Sequence, residues 1–530
     1  MSLWVILLTV AIVVSCLMAG RILFHYFQLE SYQFPGYFRT LRRNLLKVLV
    51  PGLTMNVILI LSMVAGALLI SPDNDWLPHI ISAVSMLCTG FIIRKKVKTM
   101  KAKKPMNMTA RMKRLYVISF ITFFIFLLVF EHKGGVFSYF FITFPVLLPL
   151  WIAVAGLIAW PIEKGISELY FRDAQRILKE RKDIIRIGIT GSWGKTSVKF
   201  ILGTMLAEKY NTLITPASYN TPMGVTKVIR SQLEPAHRIF IAEMGARHVG
   251  DIKEMCRLVH PVIGILTSVG PQHLDTFHSL ERIIKTKYEL MDAIPEDGTC
   301  FFADDGDICR RLWEETNKEK VIAGTDAEID TVWAEDLETD NNGSHFILCT
   351  KDIRIPCHTK LLGELNIRNI VLCASVCLKL GMTAAEISRG IEKISPIEHR
   401  LQLIPNPGGM TVIDDAFNSN IKGAEQAFQV LKKMKGKRFL ITPGMVELGA
   451  REEELNREFG MLASDCCDVA ILVGKKRSEA ISQGLKEKGF LEENIHVVSQ
   501  LEEATGLLEG MIHPGDTVLF ENDLPDNYTE

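Results

Sequence analysis

Apolar residues are arranged in two ways along this chain. Before Pro161 they form long runs, at about residues 3–20, 50–70, 76–93, 115–130 and 136–160. A helix needs about 20 apolar residues to cross a hydrocarbon core of roughly 30 Å, so each run predicts one membrane span. The fourth (LYVISFITFFIFLLVF) draws on its flanks for length. A cleaved leader is the competing reading of the first run, but that run has no basic start and no small-residue cleavage site, and four more follow. From Ile184 onward the apolar runs become short and β-branched: IIRIGIT, RIFIAEMG, VIGILTSVG and, later, MTVIDDAF, KRFLITPG, VAILVG, IHVV and DTVLF. They alternate with amphipathic helical segments, a pattern that predicts parallel sheets covered by helices.

Composition sharpens this division. The chain has 530 residues, with 60 Lys/Arg and 60 Asp/Glu, and neutrality argues against a nucleic-acid partner bound through bulk positive charge. The zero is an average of two unlike parts. Residues 1–162 carry 16 basic and 4 acidic residues, a net of +12, which leaves a net of −12 on the remainder. A mean hydropathy of +0.19 is high for a wholly soluble protein. Basic residues fall in alternate loops. Arg21, Arg39, Arg42, Arg43 and Lys47 follow the first run, and ten basic residues with no acid lie between Arg94 and Arg114. The loops SPDNDW and EHKGG lack such clusters. The positive-inside rule then predicts an amino terminus outside, both basic loops inside, and everything after Trp160 in the cytoplasm of a multi-pass cell-membrane protein. The loop 94–114 is a topology signal or a binding site for an anionic headgroup. The spans carry almost no ionisable groups, which weakens a transporter reading. Eleven cysteines, nine of them after residue 250 and none in CxxC spacing, predict free buried thiols rather than disulfides or zinc.

The strand at Ile184–Thr190 runs directly into GSWGKTSVKFILGTMLAEKY. Strand, glycine-rich loop and helix form the context of a phosphate-binding loop. Gly191, Ser192 and Gly194 let the backbone wrap phosphates, Lys195 reaches the β and γ phosphates, and Thr196 and Ser197 open the helix, Thr196 as a Mg²⁺ ligand. Ile189 replaces the usual first glycine.

TGSWGKTS, Thr190 to Ser197, resembles the ATP loop of the Mur ligases, which also lacks that glycine. Three further segments match in the same order. EMGARHVGDI from Glu243 is similar to ExGANHxGEI of the MurF branch, which adds D-alanyl-D-alanine to a UDP-muramoyl tripeptide. SVGPQHLDTFHSLERIIKTKYELM resembles that branch's histidine and lysine region. IDDAFNSNIKGAEQAFQVL resembles its DDSYNANP segment. The resemblance covers about residues 184–520. It implies ATP and Mg²⁺ as cofactors, with Thr196, Glu243 and His273 holding the metal. It also implies that Lys287 is the family lysine that carries a carbamate and helps hold a second ion, with Lys285 two residues away as the rival alignment. An unmodified lysine there would bind phosphate instead. Asp275 orients His273 or the attacking amine, or caps a turn. Asn366 and Asn369 match family asparagines near adenine, Arg400 an arginine that reaches back to the nucleotide, and Asp415 and Asn418 residues near the ribose and base. Leu365 and Phe417 replace a family histidine and tyrosine. The implied architecture is α/β: a membrane region over 1–162, a central P-loop ATP-binding domain over 163–395, and a smaller Rossmann-like domain over 396–530.

The implied chemistry follows from the substrates. A carboxylate is a poor electrophile near neutral pH, so amide formation requires an ATP phosphoryl group on it first, giving an acyl phosphate that an amine attacks. Two departures bear on the substrates. Membrane spans stand where the MurF branch has its UDP-binding domain, and the basic KGS-type loop after the last strand is ENDLPDNYTE here. Glu521, Asp523 and Asp526 would repel a carboxylate-rich peptide and welcome an amine, or they form a solvated tail. The sequence therefore predicts a membrane-anchored, ATP-dependent carboxylate–amine ligase of cell-wall or surface-polymer synthesis. Its expected partners are an acceptor acid on a lipid- or UDP-linked peptide, an amino acid or dipeptide, and the lipid bilayer. The alternatives are authentic MurF activity on the UDP-tripeptide, a nucleotide-driven transporter, and an inactive scaffold.

Overall fold

The long apolar runs form helices, in which the backbone hydrogen bonds are satisfied within each segment. The computed structural model describes residues 2–68, 76–99, 105–133, 142–216, 219–272, 274–340, 343–396, 399–404, 406, 408–416, 421–446, 448 and 451–522. The chain divides into two units, Met1–Leu169 and Tyr170–Glu530.

The helices Leu45–Leu68, Leu77–Thr99 and Ala110–Lys133 of the first unit, and Leu148–Glu180, which begins in it and ends in the second, each contain a stretch long and apolar enough to cross a membrane. A fifth arises if Leu3–Ala19 and Arg21–Leu29, bent by 48° at Gly20, count as one. The helices outrun the apolar stretches read from sequence, because helical hydrogen bonding continues into polar residues at each end; part of the run at 136–160 lies outside the described residues. Small residues let these helices approach closely. A Cβ on Gly90 would sit 2.8 Å from Ser15 Cα, so Leu77–Thr99 lies close against Leu3–Ala19. Ser62 and Ser82 share a buried hydrogen bond of 3.1 Å between neighbouring helices. Arg114 donates two bonds, 2.6 and 2.7 Å, to the buried Glu163 carboxylate.

The second unit holds two sheets. The larger contains β1 Ile185–Thr190, β2 Thr212–Ile214, β3 Ile239–Glu243, β4 Ile263–Leu266, β5 Thr299–Ala303, β6 Lys320–Gly324, β7 Val332–Asp340, β8 Gly343–Cys349 and β9 Arg354–Thr359. Their order is β2-β3-β1-β4-β5-β6-β7-β8-β9, parallel as far as β7 and antiparallel thereafter. Parallel strands are buried on both faces, which explains their unbroken apolar sequence. Phe301 enters one core with Ile187 and Ile189, while its neighbour Phe302 enters the other with Phe240 and Ala242.

The second sheet contains β10 Gln402–Ile404, β11 Thr411–Asp415, β12 Arg438–Thr442, β13 Val469–Val473, β14 Ile495–Val498 and β15 Thr517–Glu521, ordered β10-β11-β15-β12-β13-β14. Only β10 is antiparallel. The eleven cysteines are free thiols, and all but Cys88 are buried.

Candidate active site

The larger sheet places a glycine-rich loop at the carboxyl end of β1, where the strand order changes direction and open sheets bind ligands. Gly194 has φ 79°, a left-handed turn that favours glycine, and starts the helix Lys195–Leu206. The segment after β4 pins the loop. Ser192 N–H donates to Ser268 O at 2.9 Å, Trp193 N–H to Ser268 Oγ at 2.9 Å, and Thr267 Oγ1 to Trp193 O at 2.5 Å. A Cβ on Gly191 would meet Thr267 Oγ1 at 2.1 Å, so only glycine fits there.

Parallel pairing of β1 with β3 carries Glu243 to the same end. Its buried carboxylate accepts from Thr196 Oγ1 at 3.1 Å to each oxygen, from Lys199 Nζ at 3.0 Å and from Asn220 Nδ2 at 3.1 Å. Carboxylate and hydroxyl are hard oxygen donors of the kind that hold Mg²⁺, so Thr196 and Glu243 fit that ion. The ammonium of Lys199 also neutralises the carboxylate, and burial and Glu243 act on it in opposite senses, burial prevailing to lower its pKa.

Lys195 donates to the carbonyls of Gly191 at 2.7 Å and Ser192 at 2.9 Å. Burial, and secondarily the charge of Arg400, pulls its pKa down to about 8 against the opposing pull of Glu243. Lys287 is 3% exposed on the helix Leu280–Ala293, whereas Lys285 is exposed. Burial depresses the basicity of Lys287 strongly, helped by the Lys195 charge and opposed by Asp251, Glu243 and Glu289. Glu289 in turn accepts the Gly250 and Lys253 N–H groups at 2.9 and 2.8 Å, tying this helix to the segment after β3.

Asn369 lies beside the loop, its Oδ1 3.4 Å from where a Cβ on Gly194 would stand. Asn366 is buried and donates to Leu362 O at 2.8 Å. From the second sheet, Arg400 and Asp415 face the same region, since the Arg400 charge is felt by Glu243 and Lys195. His399 and Leu401 flank Arg400 at φ 58° and 46°, a left-handed conformation that costs each residue about 1–2 kcal/mol. Burial raises the Asp415 pKa to about 6, against Arg400 and the Leu401 N–H that donates to Asp415 Oδ1 at 3.1 Å. Parallel register sets Asp415 opposite Glu521, which is buried at the end of β15 rather than part of a solvated tail. His273, Asn418, Asp523, Asp526 and the Asp275 side chain lie outside the described residues.

Sequence reasoning did not find Lys199, Asn220, Glu289 or Trp193. Lys199 had a signal, since it falls one turn after Thr196 on the same helix face. Trp193 fills the space left by Gly270, whose Cβ would stand 2.2 Å from the ring, and Lys422 of the second sheet's first helix lies 5.9 Å from the ring centroid.

A glycine-rich loop after a parallel strand, whose lysine and neighbouring strand-end carboxylate feel the charge of an arginine just before a second sheet, is the arrangement of a nucleotide-dependent enzyme. Family comparison is specific: the Mur ligase middle domain matches residues 189–377, and the Mur ligase glutamate ligase domain matches 399–521. The chain belongs to the Mur ligases, ATP-dependent enzymes that form amide bonds. It is 28% identical over 340 residues to the UDP-N-acetylmuramoyl-tripeptide–D-alanyl-D-alanine ligase of Escherichia coli, covering 62% of this chain and 75% of that one. The Bacillus subtilis enzyme of the same name is 25% identical over 338 residues, covering 63% and 72%. The crystal structure of MurF from Thermotoga maritima in complex with ADP superposes with a TM-score of 0.61 at 23% identity, covering 67% of this chain and 80% of that one.

Proposed function

We propose that this chain is a membrane-anchored ATP-dependent carboxylate–amine ligase with MurF-type chemistry, acting at the cytoplasmic face on a lipid- or surface-polymer-linked acceptor. The observation that carries this reading is what precedes the ligase match at residue 189: helices long and apolar enough to span a bilayer. The same reading divides the chain into a membrane region over 1–162 and ligase domains over 163–395 and 396–530.

In this proposal the amides of Gly191 to Lys195 cradle the ATP phosphates, with Ser197 behind them, and Lys195 exchanges its two carbonyl bonds for phosphate oxygens. Thr196, Glu243 and His273 would hold Mg²⁺, which supplies neutralising charge around the migrating phosphoryl group. Phosphoryl transfer to the acceptor carboxylate gives an acyl phosphate, and attack by the amine releases phosphate and leaves the amide. Lys287, whose burial favours the neutral amine, is suited to take up CO₂ as a carbamate. Asp275 orients His273 or the amine. Asn366, Asn369, Asp415 and Asn418 line the nucleoside, and Arg400 reaches its phosphates from the second sheet.

Authentic MurF activity is the second reading, favoured by the relatives' names. Purified full-length protein given ATP, D-Ala-D-Ala and either UDP-linked tripeptide or lipid-linked muropeptide separates the two. Turnover of the lipid-linked acceptor is expected; efficient turnover of the soluble substrate alone would overturn the first reading in favour of the second.

A further inference from the structure

The first unit contains a cavity of about 340 Å³, a volume within the range of ligand pockets. One wall is apolar, formed by Val14, Leu17 and Met18 near the end of the helix Leu3–Ala19. The other carries Arg21, Arg94 and Tyr116. These three residues come from three helices and reach the same place for stated reasons. Arg21 follows the bend at Gly20. Arg94 lies one turn beyond Gly90, the residue whose missing Cβ brings Leu77–Thr99 against Ser15. Tyr116 stacks on the buried Phe24 ring at 4.1 Å and lies within electrostatic reach of both guanidinium groups. No carboxylate is among the described lining residues. Arg111 and Arg114, by contrast, face Glu163. Arg21 is half-buried and Arg94 exposed, so the polar end of this cavity presents two guanidiniums and no acid among its described lining residues, a local positive field that attracts an anion. Guanidinium forks match phosphate oxygens, and a phenol adds a donor.

We propose that this cavity binds the phosphate headgroup of a lipid, with Arg21 and Arg94 on the phosphate oxygens, Tyr116 donating to it, and the chain lying along Val14, Leu17 and Met18. This rests on the membrane placement proposed above. It assigns an anion site to the first unit that is separate from the ATP loop, and it gives a lipid-linked acceptor a place to be held.

Native mass spectrometry of the full-length protein in detergent micelles tests it, with polyprenyl phosphate, phosphatidylglycerol and inorganic phosphate as separate probes. The expected result is lipid-phosphate adducts that weaken about tenfold or more in an Arg21→Gln/Arg94→Gln double variant, since each charge near a headgroup contributes about 1 kcal/mol. The Arg21→Lys/Arg94→Lys variant should retain most of the binding, and unchanged helical circular dichroism and a single monodisperse peak in detergent show that the first unit of both variants is folded. A preference for polyprenyl phosphate assigns a carrier lipid, and equal binding of the two lipids assigns a bilayer headgroup; either supports the site. Binding of both lipids unchanged in the Gln variant, or inorganic phosphate bound as tightly as lipid, overturns it. Release of the protein from membranes by alkaline carbonate would instead overturn the membrane placement, and the inference with it, so the two failures are read separately.

Discussion

The Lys199 ammonium lies 3.0 Å from the Glu243 carboxylate, and both side chains are buried. The same carboxylate receives the Thr196 hydroxyl and the Asn220 amide, so the residue best placed to hold a cation already has an internal one beside it. Removing one member of a buried pair strands the other, which costs about 3–5 kcal/mol. Lys199→Met should therefore lower the thermal midpoint by several degrees. Added Mg²⁺ and nucleotide should restore more of that loss than they add to the parent protein, because a divalent ion then supplies the missing charge. Thermal unfolding with and without Mg²⁺-ATP measures this, and an equal shift in both proteins would show that Glu243 is not where the cation binds.

Lys195 links the phosphate loop to pH. Its folded pKa of about 8 lies below the ordinary lysine value, so the nucleotide-free protein loses this charge as pH rises through 8. ATP affinity is expected to fall across that interval. Stability should move the other way, rising from pH 8 towards the ordinary lysine range, because the unfolded chain then holds a proton that the folded one has released. Lys195→Ala should abolish both trends and cut turnover about 10²-fold or more, the scale of losing one charge-stabilising group. Calorimetric titration of ATP between pH 7 and 9, beside thermal unfolding over the same range, distinguishes this from a general alkaline loss.

Gly270 lies against the Trp193 ring of the phosphate loop. An added methyl group would overlap the Trp193 ring, and overpacking of this kind costs about 1–3 kcal/mol. Gly270→Ala should therefore displace Trp193, changing its fluorescence and weakening ATP binding while leaving the far hairpin β8–β9 intact. Unchanged fluorescence would mean that the ring has room to move without consequence.

The parts of this fold that were legible in the sequence are those written in a local pattern. β1, β3 and β4 announced themselves because strands buried on both faces are uninterrupted apolar runs, and the loop from Gly191 to Thr196 joins a strand to its own following helix. The pairs Lys199–Glu243 and Asn220–Glu243 are separated by 44 and 23 residues, so neither could be read without the sheet. β10 is a three-residue edge strand, too short for a period, and β7, with sequence VWAEDLETD, was missed for its acidic face. Hydropathy marked where helices are apolar but not where they end, as Leu148–Glu180 shows by continuing well past Pro161.

Lys287 makes the most exacting demand on the site. Its burial holds the amine well below its ordinary pKa, and the nearby Lys195 charge adds to that effect. A neutral buried amine is the form that adds CO₂, and the resulting carbamate would turn a group that repels cations into one that attracts them. Removing CO₂ and bicarbonate should lower ligase turnover reversibly by about 10-fold or more, the effect of losing a residue that supports a metal site. Bicarbonate should restore it. Lys287→Arg keeps the positive charge but forms no carbamate, and it should be inactive and indifferent to bicarbonate. Lys285→Arg, on the exposed side of the same helix, should leave turnover and its bicarbonate dependence unchanged. If turnover persists in rigorously CO₂-free buffer while Lys287→Arg is inactive, Lys287 acts as an amine, binding phosphate from its buried position, and the second cation needs another ligand.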